Sequence, residues 1–390
     1  MTVSNSSISN SESQITASQV LTGRRMLIAG LWAVLYLVLI DISINIFFAM
    51  PKSPLVDPGK LQSYFNYGRS VEGKLRKMIG HDKESTAILA YAGWLAENND
   101  QQPPIASSSG HILVAAYGQS FTDQICEALK VLDPRFELRL KDGPAAPLSH
   151  SYAFYKADSS HQKADIVVLG ILASSLPLMM APTTATINFE GVAPYTYPLY
   201  SLKDGQLSEV DPIIHSLEEL RTALMDKPIL WNEYLEMLRT KAPTYNKWIF
   251  ESDWFDYSAL ARLIRRSIGQ KHVHDATARY WNTNGFKNAD GLLDIANALI
   301  TDFVSDVKIR GQIPYVLLIQ DKGYKDHLAL AFEAQLKHLD VSYLSTHTIA
   351  PSTNARNFIS DGHFTPEVTM QIARAFRTDI LNKLRIDISP

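Results

Sequence analysis

Arg24-Arg25 is followed by Met26 to Ile40, fifteen residues without a charge, and the apolar character continues to Met50 with breaks at Asp41 and Asn45. Twenty-five residues at 1.5 Å rise make a helix of about 37 Å, enough to cross a ~30 Å hydrocarbon core with tilt. A buried core helix normally keeps a polar face, and Met26 to Ile40 has none. A cleaved signal peptide has an apolar region of about 7–15 residues ending in a small-x-small site, which Phe47-Phe48-Ala49-Met50 does not supply. Residues 24–50 are therefore expected to be an uncleaved, single-pass signal anchor. The twin arginines favour a cytoplasmic N-terminus, while Lys52, Lys60 and Arg69 nearly balance the count on the other side.

The flanking segments read differently. Residues 1–23 hold seven serines and no apolar periodicity, the composition of a disordered tail. Residues 51–110 read as a stalk and linker: Pro51, Pro54 and Pro58 break structure, short helices fit Lys60 to Ile79 and Glu84 to Glu97, and Asn98 to Gly110 is linker-like. The remainder, 111–390, is long and apolar enough for a substantial core, since the chain is 46% hydrophobic and 20% charged. With 37 Lys+Arg against 40 Asp+Glu, no basic footprint for nucleic acid exists. Cys126, the only cysteine, excludes an intrachain disulfide and a cysteine-based zinc site.

Apolar strand-like runs at 112–117, 136–140, 166–169, 315–319 and 341–344 alternate with helical periodicity at 121–132, 289–309, 324–339 and after Pro366. That rhythm predicts an α/β fold with a mainly parallel sheet covered by helices on both faces, and ligands bind beyond the strand C-termini in such sheets. Residues 188–285 interrupt it. They are rich in aromatics, including Trp231, Trp248, Trp254 and Trp281, and are expected to be a helical insertion near the site.

Two blocks carry candidate chemistry. Leu113-Val114-Ala115-Ala116-Tyr117-Gly118-Gln119-Ser120 delivers a serine from a buried strand to a helix start, where backbone N–H groups can hold an oxyanion; taken by itself, Ser120 is better read as a plain helix cap. Asp361-Gly362-His363, before the last helix, sets an imidazole two residues from a carboxylate, the pairing a general base needs; a surface turn explains that too. His272-Val273-His274-Asp275 is expected to be a surface turn, no third metal ligand being identifiable. Tyr195, Tyr197 and Tyr200 fit either sugar stacking or an ordered packed loop, the latter with better odds.

Taken together, Gly118-Gln119-Ser120-Phe121, the strand Asp165-Ile166-Val167-Val168-Leu169-Gly170 and Asp361-Gly362-His363 resemble the SGNH/GDSL hydrolase superfamily across roughly residues 112–384, outside the 188–285 insertion. The resemblance implies a flavodoxin-like three-layer α/β/α sandwich, with Ser120 as nucleophile and His363 and Asp361 completing the triad. It implies an oxyanion hole from the Ser120 N–H, a glycine matched by Gly143, and an asparagine. Gln119 replaces the family's aspartate. No asparagine stands in Gly170 to Ser175, and Ser174 is the nearest substitute. It further implies an esterase or O-acyltransferase needing no cofactor, with an acylated small-molecule or glycan substrate. Membrane-tethered relatives point to a main domain outside the cytoplasm beside envelope polysaccharide machinery. The alternative is a non-catalytic binding or assembly subunit that kept the fold without the asparagine.

Overall fold

The computed structural model describes residues 11–95 and 105–385, with side chains from residue 23 onward. It begins with α1 (Ser11–Phe47), which takes in residues 11–23 of the expected tail; residues 1–10 lie outside the described residues. Extending a formed helix by one residue is far easier than nucleating a new one. The Gly23–Phe47 stretch of α1 has a mean hydropathy of 2.3 in its most apolar window, none of which is buried, and is long and apolar enough to cross a membrane.

The next segment is not a free stalk. After α2 (Lys60–Asn66), helix α3 (Val71–Ile79) starts at Ser70, whose hydroxyl accepts from the Gly73 N–H. Val71, Leu75 and Ile79 recur four apart, a one-sided apolar stripe that needs a partner. They find it in the insertion, where Leu217, Leu220, Trp231, Leu235 and Phe250 share one core with them and with Ala90 and Trp94. Prolines had suggested a broken stalk because they end helices, but they say nothing of where the pieces dock. Residues 96–104 of the expected linker lie outside the described residues.

The sandwich starts with β1 (Ile112–Gly118), α4 (Ser120–Leu132), β2 (Phe136–Asp142), α5 (Leu148–Asp158) and β3 (Ile166–Leu172). The insertion then supplies a hairpin of β4 (Leu199–Lys203) and β5 (Gln206–Val210), turned at Asp204-Gly205 with φ of 51° and 77°. Positive φ at both central residues marks the two-residue turn that matches strand twist. Helices α6 (Leu217–Met225), α7 (Pro228–Lys241), α8 (Lys247–Phe250) and α9 (Ala259–Tyr280) follow, then a short ribbon of β6 (Trp281–Asn282) and β7 (Gly285–Phe286). The insertion is thus mainly helical, with a hairpin added. The chain returns through α10 (Leu292–Ile309), β8 (Ile313–Ile319), α11 (His327–His338), β9 (Ser342–Ser345) and α12 (Pro366–Leu384).

Five strands pair in parallel in the order β2-β1-β3-β8-β9, the flavodoxin-like arrangement. All seven residues of β1 and of β3 are buried, as expected of strands covered on both faces. Leu113, Ala115 and Tyr117 share a core with residues of α5, α10 and α11. Ile112, Val114 and Ala116 share the opposite core with α4 and α12. The protein is therefore an α/β/α sandwich with an inserted, mainly helical layer and one apolar N-terminal helix.

Asp41 and Asn45, the breaks in the apolar run, are where α1 meets that layer. Asp41 Oδ1 accepts from the Ser258 hydroxyl at 2.9 Å and the Leu260 N–H at 2.8 Å, capping α9 from outside. Asn45 Oδ1 accepts from Arg262 at 2.9 Å. His272, His274 and Asp275 lie within α9, not in a surface turn; His272 Nε2 sits 2.9 Å from the Thr244 carbonyl and 3.2 Å from that of Thr186.

Candidate active site

Ser120 is the first residue of α4, delivered by β1 at the point where the order β2-β1-β3 reverses direction. Gly118 and Gly170 let the first turn of α4 close onto the sheet: a Cβ at either would stand 2.3 Å or 1.9 Å from Thr122 Oγ1. Gln119 is extended and fully buried, and its amide has no partner among the described residues. The first N–H groups of a helix have no intrahelical acceptor, so the backbone at Ser120 and Phe121 presents donors to the cleft.

His363 arrives from the opposite end of the sequence on a tight loop. Phe358 and Phe364 form a β-bridge, the Ile359 N–H donates to the His363 carbonyl at 2.8 Å, and Gly362 takes φ of 95°, which glycine accepts without strain. Thr365 caps α12 and Pro366 opens it. The imidazole stacks on Phe121, 4.6 Å between centroids, and Phe364 closes edge-on against the same ring. Ser120 Oγ and His363 Nε2 stand 2.7 Å apart.

Asp361 is placed less firmly. Its Oδ1 lies 3.2 Å from His363 Nδ1, but the same oxygen accepts the His363 backbone N–H at 3.1 Å, and Nδ1 is left without an aligned hydrogen bond. That backbone donor holds the Asp361 carboxyl below the ordinary range. The side chain is 61% exposed, so water competes for it.

The donors around Ser120 depart from expectation. The Gly143 N–H donates to the Gly118 carbonyl at 3.3 Å, and its α-carbon is backed by buried His150, so Gly143 offers no free donor. It opens a turn instead. The Ala146 N–H returns to the Gly143 carbonyl at 3.0 Å across Pro144 and Ala145, with Ala145 at φ of 54°. Proline followed by a positive φ is the pattern of a type II turn, where glycine or asparagine is usual. The Pro144 carbonyl accepts from Tyr195 OH at 2.6 Å. A trans peptide aims its N–H opposite its carbonyl, so the Ala145 N–H, without an acceptor among the described residues, points away from Tyr195. Ala145 lines the cleft.

Ser174 also lines the cleft, with its N–H 3.1 Å from Asp321 Oδ1. Burial pushes the Asp321 carboxyl up to about 6, against the opposing pull of Ser174. Asp321 stands two residues after the end of β8, past Gln320, and was not singled out in the sequence; an acid close behind a buried apolar strand was the available signal. The cleft measures about 640 Å³ and includes no asparagine among its described lining. Its near wall is Tyr91, Ala92, Gly93 and Trp94, from the segment expected to be a stalk. Tyr195 and Tyr197 are fully buried and Tyr200 is 4% exposed, so these three pack the fold and offer no stacking face to a ligand.

No family model and no curated protein sequence matches the chain. Among solved structures it is similar to a protein from Desulfitobacterium hafniense DCB-2 assigned to the G-D-S-L lipolytic family. That similarity has 10% identity and a TM-score of 0.31, covering 69% of this chain and 99% of the other.

Proposed function

We propose that the chain is a membrane-anchored serine esterase or O-acyltransferase of the SGNH type. The observation that carries the reading is the 2.7 Å approach of Ser120 Oγ to His363 Nε2 in an open cleft at the carboxyl edge of a parallel sheet. Ser120 Oγ attacks an ester carbonyl as His363 Nε2 takes its proton. His363 returns that proton to the leaving alcohol, leaving an acyl-serine. Water or an acceptor hydroxyl then gives its proton to His363 and takes the acyl group, and His363 passes that proton to Ser120 Oγ as it leaves, restoring the free hydroxyl and the neutral imidazole. The N–H groups of Ser120 and Ala145 face the developing oxyanion, and the Ser174 hydroxyl is a third candidate donor. Asp361 steadies the imidazolium through its charge.

An acylated carbohydrate outside the cytoplasm is the substrate this reading favours, with envelope polysaccharide machinery as neighbour. It is supported by Tyr91, 42% exposed at the cleft's rim, by the carboxylates and hydroxyls of Asp142, Ser174 and Asp321 in the cleft wall, and by Arg24-Arg25 at the start of the apolar stretch of α1. A non-catalytic binding role is the second reading, favoured by the occupied Gly143 N–H and the unaligned Asp361. The two separate cleanly. The full chain should label with a fluorophosphonate and hydrolyse p-nitrophenyl acetate, and Ser120→Ala should lose the label and at least about 10³-fold in rate. A folded wild type that neither labels nor turns over selects the binding role.

A further inference from the structure

Beside the point where α1 ends, residues 50–58 and α3 border an open, mainly apolar pocket of about 360 Å³, walled by Met50, Pro54, Val56, Met78, Leu89 and Val192. A second cavity, about 530 Å³, shares Pro54 and Lys77 with the first and adds Lys52, Arg69 and Arg76. An apolar chamber thus adjoins a basic one, with Pro54 and Lys77 on the shared wall. Neither touches Ser120 or His363.

The charges there are unbalanced. Arg76 is held by Glu72 and by the Leu224 carbonyl, and Arg69 Nε donates to Asn66 at 2.8 Å. Asp256, the carboxylate facing the basic chamber, is already engaged by Ser70, Ser252 and Arg265. Glu190, on the apolar chamber's wall, pairs with Arg266 at 2.8 Å. Lys52 and Lys77 have no acidic partner among the described residues. Burial and the neighbouring Arg69 and Arg262 push the Lys77 ammonium down to about 8, so an anion arriving beside it would relieve that repulsion.

The surroundings suit a bilayer surface. Leu55, Val56 and Leu61 are each 55% exposed, and Trp254 and Tyr257 are 67% and 80% exposed. Gln62 reaches back to the Ala49 carbonyl at 2.7 Å and Phe65 stacks on Phe48, which fixes this apolar collar to the end of α1. Exposed aromatic residues at the exit of a spanning helix are what either membrane interface selects.

We propose that the paired cavities bind a membrane phospholipid with an anionic headgroup, its acyl chain in the apolar chamber and its phosphate against Lys77 and Lys52. The site rests on the membrane reading of α1 and is independent of the chemistry at Ser120. The test uses the full chain in mild detergent, titrated with phosphatidylglycerol, phosphatidylcholine and inorganic phosphate and followed by native mass spectrometry. Phosphatidylglycerol should bind at least tenfold tighter than phosphatidylcholine and should not be displaced by inorganic phosphate. Lys52→Gln with Lys77→Gln should remove that preference. Gly191→Leu, at a wall position where an added Cβ meets nothing within 4 Å, should fill the apolar chamber and weaken both lipids, with gel-filtration profiles unchanged. Equal binding of the two lipids, displacement by inorganic phosphate, or indifference to both variants overturns the proposal. Carbonate extraction of cell membranes tests the anchor separately: a chain released by it refutes the membrane reading, whereas a retained chain without lipid preference refutes only the site.

Discussion

Asp321, on the wall of the candidate cleft, carries a carboxyl shifted by burial. Burial raises its carboxyl to about 6, so between about pH 4 and 6 the folded state holds a proton that the unfolded chain has released. Stability from this group is therefore greatest below pH 4 and falls as pH rises through 6. Asp321→Asn keeps an oxygen for the Ser174 N–H and removes the charge. Its advantage over wild type in urea unfolding of the detergent-solubilised chain should grow from near zero at pH 4 to on the order of 2–3 kcal/mol at pH 7.5. A gap independent of pH would show an ordinary carboxylate. Ser120 and His363 were legible in the sequence because a strand-end serine and an Asp-x-His before the last helix have fixed places in a known pattern. Ala145 and Asp321 were not. Ala145 matters through a turn held by Tyr195, fifty residues later, and Asp321 through what buries it. Gly143 was matched by position, which cannot reveal that its N–H is already bonded.

Among the elements, Arg265 on α9 joins the insertion to the segment after α1. It is fully buried and pairs with both Asp253 and Asp256, and Asp256 in turn accepts from the Ser70 N–H at 2.8 Å and the Ser70 hydroxyl at 2.6 Å. Arg265→Met would leave Asp256 buried without its counter-charge, a loss of about 3–5 kcal/mol. Chemical denaturation should report it, and a change under 1 kcal/mol would contradict the pairing. The sheet strands were readable because burial on both faces makes each one a continuous apolar run. Helix α5 was not marked out, since Leu148–Asp158 is buried nearly all round and includes Ser149, His150 and Ser151 on its hidden faces, so no stripe appears. The middle of α9 was misread for the opposite reason: its polar run around His272 to Asp275 lacks a strong apolar stripe, and Gly269 is kept by the Phe189 ring, 2.4 Å from where a Cβ would stand.

At the scale of the molecule, α1 is not a loose tether. Asp41 completes the capping of α9, and a cap of this kind is worth about 1–2 kcal/mol. Asp41→Leu should leave the chain in the membrane fraction while speeding hydrogen exchange at Leu260 to Arg262 by about tenfold. Unchanged exchange would mean that the helix and the folded part move independently. The sequence boundary at residue 111 separated a stalk from a domain, but folding couples them. Tyr91 to Trp94 wall the candidate cleft while Leu89, two residues earlier, walls the cavity at the helix exit. A secreted version cut at residue 111 would keep the serine and the imidazole yet open the cleft on one side, and would uncover the apolar socket that Trp94 fills. Whatever rearranges the ground floor of this protein therefore reshapes the room where a substrate would sit.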